Sequence, residues 1–164
     1  MTAAGVRTPL EVARAVFDAV ARREPDGIVE FGEVGYVDDF VAVGEFRGHD
    51  AIRDFFRQVF AAFPDFQMTV DRIVADDSSA VVQWHLAGTF SGGPFQGVQP
   101  TGKRVELRGV DVMEIATGLI QRNTVYYDGA SFARQIGLLP AEGSRADRAL
   151  ITFFNATTKL RRRR

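Results

Sequence analysis

The sequence predicts one α+β domain, in which N-terminal helices pack on a curved antiparallel sheet, followed by a C-terminal helical extension. Apolar residues recur at helical spacing up to Phe63, and from Asp65 onward the apolar period falls to two. Helices first and strands afterwards is the order of an α+β fold. We place the domain at residues 1–140 and the extension, with its basic tail, at 141–164.

Two helices are predicted at the start of the chain. Thr8 and Glu11 form a capping box around Pro9, which takes the first helical position. Pro25 ends this helix, and residues 26–31 form a second, short one.

A strand at 36–43 and a third helix at 48–63 come next. Gly32 and Gly35 break the chain before the strand, and Pro64 stops the helix. The helix has one apolar face made of Ile52, Phe55, Phe56, Val59, Phe60 and Phe63.

In the second half of the chain, apolar and polar residues alternate as they do in β-strands. Residues 76–79 predict a turn, and 116–118 a hairpin. The predicted strands cover residues 66–73, 80–90, 105–115 and 119–127. Because helices on one face require the sheet to curve, we expect a cone whose open end is a ligand pocket.

Two helices are predicted at the end of the chain. Asp128 caps a short helix that Gly137 ends, and Ser144 with Asp147 opens a terminal helix. The terminal helix has an apolar face of Ala146, Ala149, Leu150, Phe153, Phe154 and Leu160. This face packs on its own domain, on a partner subunit, or as a lid over the pocket. Arg161–Arg164 is interpreted as a solvated end.

Composition excludes several classes of function. The chain has 164 residues, 46% of them hydrophobic, and a net charge of −1. The absence of Cys excludes disulfides, thiolate nucleophiles and Cys-ligated zinc, and the near-neutral balance argues against a nucleic-acid binder. The only two His residues lack metal-ligand spacing, so we expect no metal and no cofactor.

Targeting signals are also absent from the sequence. The N-terminus lacks a basic region followed by an apolar one, and no apolar run is long enough to cross a membrane. We therefore expect a cytoplasmic protein without a membrane partner.

General acid–base chemistry inside the pocket remains, with Asp39, His85 and Asp111 as candidate catalytic residues. Each lies in a predicted strand with apolar sequence neighbours, where an Asp would be desolvated and its pKa raised. The alternatives are a hydrogen-bonded core histidine for His85, a solvated strand end for Asp39, and pairing at a sheet edge or turn for Asp111.

Three further residues are candidates for substrate binding: Asn123, Tyr127 and Trp84. Asn123, Val125 and Tyr127 share one strand face. If that face points inward, it offers an amide and a phenol that orient a ligand carbonyl.

A series of motifs in order along the chain resembles the SnoaL-like polyketide cyclase family, from about Leu10 to Pro140. This family belongs to the nuclear transport factor 2-like superfamily, with ketosteroid isomerase, limonene epoxide hydrolase and scytalone dehydratase. The motifs are Phe60–Asp65, Trp84 with Gly88-Thr89, Pro100–Lys103, Gly109–Val112, and Tyr126–Asp128 with Phe132 and Gln135–Gly137.

The resemblance implies an α+β cone, a homodimer, and an apolar pocket for a small hydrophobic molecule. It places the acid–base Asp of the hydrolase and cyclases at about Val125, where no proton can be exchanged. It places the general base of ketosteroid isomerase close to Asp39, and the oxyanion-hole Asp of that enzyme near Val110, beside Asp111.

Two functions follow as hypotheses. The first is a cofactor-independent acid–base cyclase or isomerase acting on a hydrophobic carbonyl compound such as a polyketide. The alternative is a non-catalytic module that binds an apolar metabolite.

Overall fold

The computed structural model describes residues 6–162. Residues 1–5, read above for a targeting signal, and 163–164, the end of the basic tail, lie outside the described residues, as does the side chain of Leu160. The helices are α1 (Pro9–Ala21), α2 (Pro25–Val29), α3 (Gly48–Ala62), α4 (Gly129–Ile136) and α5 (Arg145–Arg161). The strands are β1 (Gly32–Phe40), β2 (Gly44–Arg47), β3 (Gln67–Ala75), β4 (Ser79–Thr89), β5 (Arg104–Ala116) and β6 (Leu119–Tyr127).

The strands form one curved six-stranded sheet in the order β2-β1-β6-β5-β4-β3. All neighbouring strands run antiparallel except β1 and β6, which pair in parallel, so the predicted antiparallel sheet is mixed at this one place. The sequence missed β2, because four residues without alternating apolar positions give no strand signal. The α+β class is confirmed.

Helices α1, α3 and α4 cover one face of the sheet, and the core lies between the two layers. The capping box of Thr8 and Glu11 is present at the start of α1. Helix α1 packs on β3 and β4, α3 on β1 and β2, and α4 on β5. The core therefore joins the apolar stripes of α1 and α3 to the inward residues of the strands.

Two bulges decide which strand residues face inward. The β3–β4 register skips Asp71, so both Val70 and Ile73 pack against the core. The β5–β6 register skips Gln121, so Ile120 and Asn123 are both buried on the inner face. The face of Asn123 therefore points inward, as one of the two alternatives had it.

Gly109 makes room for the only tryptophan of the chain. Strands β4 and β5 pair residue for residue through this position, so no bulge occurs there. A Cβ atom at Gly109 would lie 2.2 Å from Cζ2 of Trp84. The indole ring therefore packs directly on the backbone of β5.

The C-terminal extension begins as predicted but does not pack as one alternative had it. The backbone N–H of Asp147 donates to Oγ of Ser144 at 3.1 Å, which caps α5. Beyond this turn the apolar side chains are exposed, Phe153 to 69% and Phe154 to 66%. The expectation that this face packs on its own domain is therefore wrong.

We predict that Gly109→Ala destabilises the protein by roughly 1–3 kcal/mol, since the added methyl group must displace the Trp84 ring. Urea unfolding followed by the fluorescence of Trp84, the only tryptophan, measures this change. Gly35→Ala is the control, because a Cβ atom there meets nothing within 4 Å. Equal free energies of unfolding for the two variants would contradict the role given to Gly109.

Candidate active site

A cavity of about 120 Å³ lies between the sheet and helices α1 and α3. Most of its wall is apolar and rich in phenylalanine. The polar groups that line it are Tyr36, Asp38, Trp84, Asp111, Asn123 and Tyr127. The cavity is thus an apolar space with a small number of polar side chains, which is typical of a site for a small molecule.

Four of these polar side chains come from neighbouring strands. Asp38 of β1 pairs in register with Asn123 of β6. Asp111 of β5 lies two residues from Met113, the partner of Asn123, and so is its diagonal neighbour. Trp84 of β4 pairs with Gly109, two residues from Asp111. The sheet therefore places Asp38, Asn123, Asp111 and Trp84 side by side on its inner face.

Hydrogen bonds join these four residues into one array. Nδ2 of Asn123 donates to Oδ1 of Asp38 at 2.9 Å and to Oδ2 of Asp111 at 2.8 Å. The indole Nε1 of Trp84 donates to Oδ1 of Asp111 at 2.7 Å. Asp111 thus accepts on both oxygens, whereas Asp38 accepts on one.

Burial raises the pKa values of both carboxyl groups, but not for the same set of reasons. Desolvation raises the pKa of Asp111 to about 6, although the donors Asn123 and Trp84 lower it in part. Desolvation raises the pKa of Asp38 well above its ordinary value, and the charges of Asp111 and Asp39 add to this effect. Asp38 therefore keeps its proton to a higher pH than an ordinary aspartate, whereas Asp111 is mainly a carboxylate at neutral pH.

Two tyrosines stand beside the array. Burial and the neighbouring Asp38 raise the pKa of Tyr36, and burial raises that of Tyr127. Both phenols therefore keep their protons at neutral pH and are hydrogen-bond donors at the cavity wall. Oδ1 of Asn123 is buried without a hydrogen-bond partner among residues 6–162.

Asp39 does not lie where the sequence predicted. It points to the other face of β1 from Asp38 and forms an ion pair with Arg122 at 2.6 Å. Its side chain is absent from the cavity wall. The expectation that it is a desolvated pocket carboxylate is therefore wrong.

His85 also lies outside the cavity. Its side chain is 49% exposed on the outer face of β4, with Nδ1 2.7 Å from Oδ1 of Asp71. It is neither a pocket residue nor the core histidine of the alternative. The strand alternation explains this position, because Trp84 and Leu86 occupy the inner face.

Sequence reasoning named four of the six polar residues of the cavity wall and missed Tyr36 and Asp38. Of its candidates, Asp111, Asn123, Tyr127 and Trp84 line the cavity, and Asp111 lies on an interior strand rather than a sheet edge. Asp38 has aromatic residues two positions away on each side, Tyr36 and Phe40, and these share its face. This alternation of aromatic residues with Asp38 is the feature of the sequence that could have placed Asp38 at the cavity wall.

No group of three His, Asp or Glu side chains in the described part of the chain has a metal-binding arrangement. Among the same residues, no helix is long and apolar enough to span a membrane.

The fold and the cavity place this protein in a class of α+β proteins with several solved structures. A candidate SnoaL-like polyketide cyclase from Jannaschia sp. CCS1 is 24% identical, with a TM-score of 0.72 over 80% of this chain and 93% of that one. TsrD from Streptomyces laurentii is 23% identical, with a TM-score of 0.69 over 79% of this chain and 95% of that one.

An NTF2-like protein of unknown function from Burkholderia pseudomallei K96243 shares the fold at 18% identity, with a TM-score of 0.67 over 79% of this chain and 97% of that one. The family profile of the SnoaL-like polyketide cyclases matches residues 10–136. The chain therefore belongs to the SnoaL-like polyketide cyclase family. Comparison with curated proteins gave no match.

We predict that Asp38→Asn stabilises the protein at about pH 8 by more than about 1 kcal/mol, since one unit of pKa shift corresponds to about 1.4 kcal/mol, and has little effect near pH 4. The pKa of Asp38 is raised in the folded state, so the folded protein binds this proton more tightly than the unfolded chain. Its contribution to stability is complete below the unfolded pKa and is lost as the pH rises towards the folded value. The amide does not titrate and avoids this loss.

Urea unfolding of both proteins across this pH range measures the effect. Asp54→Asn is the matched control, because it removes an exposed ion pair with Arg57 and costs about 1 kcal/mol or less. A difference between Asp38→Asn and the parent that does not change with pH would contradict the burial argument.

Proposed function

We propose that this protein is a cofactor-independent acid–base enzyme that enolises a compact hydrophobic carbonyl compound and so promotes its cyclisation or isomerisation. The observation that supports this most directly is the pair of buried carboxyl groups, Asp38 and Asp111, on either side of the Asn123 amide. Two carboxyls with pKa values pushed apart are suited to act as acid and base.

Asp111 is the proposed base. Its pKa of about 6 leaves it mainly ionised at neutral pH while keeping it basic enough to accept a proton from carbon next to a carbonyl. Each carboxylate oxygen has two lone pairs, so the bonds from Trp84 and Asn123 leave acceptor capacity. These two donors hold the carboxylate in one orientation.

Asp38 is the proposed acid. Its protonated carboxyl donates to the carbonyl oxygen of the substrate as negative charge develops there. The electron pair of the broken C–H bond moves into the enol, and the proton resides on Asp111. In isomerisation, Asp111 returns its proton to another carbon. In cyclisation, the enol carbon attacks a second carbonyl, and the oxygen of that carbonyl takes up the proton of Asp111. In both cases the enol oxygen returns its proton to Asp38 as the first carbonyl forms again.

The cavity limits the class of substrate. Its volume of about 120 Å³ is close to that of an apolar cavity that holds benzene, about 150 Å³. The phenylalanine-rich wall disfavours charged molecules, because only a few groups in it can replace their hydration. We therefore infer a small uncharged compound, or the reacting end of a larger one that displaces half-buried rings such as Phe56.

A non-catalytic binding module is the second candidate. Val125 lies in the cavity wall at the position where the resemblance places the acid–base Asp of the hydrolase and cyclases. Loss of that acid is expected of a protein that retains the pocket but not the reaction. Ligand binding without proton exchange would identify this function.

Enolisation is tested by exchange of α-hydrogens for deuterium in compact ketones and 1,3-diketones, followed by proton NMR in D₂O. We expect the protein to accelerate exchange, and Asp38→Asn and Asp111→Asn each to lower the rate about 100-fold or more, the range of general acid–base catalysis. His85→Gln is the matched control outside the cavity and retains the parent rate.

The rate is expected to rise as pH passes through about 6, where Asp111 ionises. A ketone that changes the fluorescence of Trp84 on binding but exchanges no faster than in buffer would support the binding module instead. Full activity in both Asp38→Asn and Asp111→Asn would exclude the proposed roles.

A further inference from the structure

Helix α5 carries an apolar face that the described part of its own chain does not cover. Leu150, Phe153 and Phe154 lie on one side of the helix, with Ile151 at the edge of that side. Each of these side chains is about half to two-thirds exposed. Large apolar side chains grouped in this way in water indicate a surface that binds a partner.

Helix α5 is attached to the domain at one end. Within residues 6–162, its polar contacts with the domain are confined to the first turn, where Asp147 accepts from Nη1 of Arg134 at 3.2 Å and from the backbone N–H of Gly143 at 2.9 Å. All residues from 148 to 156 are exposed. Both the apolar and the polar side of the helix are therefore open to a partner.

The opposite side of α5 is polar and basic. Arg148, Thr152, Asn155 and Lys159 recur at spacings of four, three and four residues, which place side chains in one stripe along a helix. All four are exposed. The helix is therefore amphipathic, with leucine and phenylalanine on one side and positive charge on the other.

Positive charge is concentrated in this helix and in the residues that follow it. Residues 145–164 contain seven basic side chains and one acidic, a net charge of +6. The acidic side chain, Asp147, is paired with Arg134 of the domain. The other charged side chains of the extension are all basic, so the extension is suited to bind an anionic partner.

The two sides of α5 together favour an anionic membrane surface over a protein or a nucleic acid. A protein that covered the phenylalanines would leave the basic stripe pointing away from it. A nucleic acid that bound the basic side chains would leave the phenylalanines in water. At a membrane, the phenylalanines enter the boundary between headgroups and acyl chains, while the long basic side chains reach the anionic headgroups around the helix.

The domain itself is acidic, but its repulsion from an anionic surface acts at short range. Residues 1–144 contain 13 basic and 20 acidic side chains, a net charge of −7. This repulsion is screened beyond the Debye length, which is about 8 Å at physiological ionic strength. The last turn of α5 lies about 20 Å along the helix from Asp147, at about 1.5 Å per residue. The length of the helix therefore separates its basic end from the acidic domain.

We propose that α5 lies in the plane of an anionic membrane surface, with Leu150, Phe153 and Phe154 inserted and the basic side chains on the lipid headgroups. Such a helix needs no spanning segment, whose absence was a reason for expecting no membrane partner. The helix lies beyond residues 10–136, which match the family, so this attachment does not depend on the proposed enzyme activity.

Sedimentation of the full chain with lipid vesicles measures the attachment. We expect binding to vesicles of phosphatidylcholine mixed with phosphatidylserine, and much weaker binding to phosphatidylcholine alone. High salt is expected to weaken the binding to the mixed vesicles, because it screens the attraction between basic side chains and anionic headgroups.

The double variant Phe153→Gln and Phe154→Gln tests the apolar side. We expect its partition coefficient on the mixed vesicles to fall about tenfold or more, since two large apolar side chains no longer leave water. Both phenylalanines are exposed, so the variant keeps its fold, which circular dichroism verifies. Thr152→Gln, in the polar stripe, is the matched control and is expected to retain the parent partition coefficient.

The orientation of the helix is tested with introduced cysteines, because the chain has none of its own. Phe154→Cys and Thr152→Cys are each labelled with a fluorophore whose emission shifts to the blue in an apolar environment. On addition of the mixed vesicles, we expect a blue shift for the label at 154 and little change for the label at 152.

Three results would overturn the proposal. The first is a full chain that does not sediment with the mixed vesicles. The second is binding that the double variant retains in full, which would assign the attachment to the basic side chains alone, as on a nucleic acid. The third is a blue shift of the label at 154 that grows with protein concentration and does not respond to vesicles, which would assign the apolar face to another protein chain.

Discussion

Burial of two carboxyl groups in one apolar cavity is the constraint on which the rest of the site depends. A carboxylate removed from water is strongly destabilised unless donors replace its hydration, and otherwise it keeps its proton. Asp111 has two such donors, Trp84 and Asn123, whereas Asp38 has one and also faces the charge of Asp111. The single amide of Asn123 therefore joins two neighbouring carboxyl groups that differ in proton affinity.

The sheet supplies this arrangement because its strands fix neighbouring side chains on one face. The array of Asp38, Asn123, Asp111 and Trp84 crosses β1, β6, β5 and β4 without help from any helix. The bulge at Gln121 and the missing side chain at Gly109 are local adjustments that allow it. The helices provide the apolar wall that excludes water and so strengthens every charge inside.

The C-terminal extension does not contribute to the cavity. The cavity belongs to the part of the chain that matches the family, whereas α5 lies beyond that part and contributes no residue to the cavity wall. Its exposed phenylalanines and its basic side chains are not part of the array of Asp38, Asn123, Asp111 and Trp84. The cavity and the apolar helix therefore lie in two regions of the chain that can change independently of each other.

The spacing of apolar residues, together with the positions of Pro, Gly and capping residues, was enough to predict the helices, most strands, the hairpin and the caps. These features depend on residues that are close together in the chain. The sequence also offered Asp111, Asn123, Tyr127 and Trp84 as candidates, whose side chains the structure places at the cavity wall. The choice between Asp38 and Asp39 was decided only by the tertiary structure, because one position along a strand reverses the face and the parallel pairing with β6 fixes it. The uncovered face of α5 was equally undecided, since periodicity shows that a face is apolar but not what lies against it.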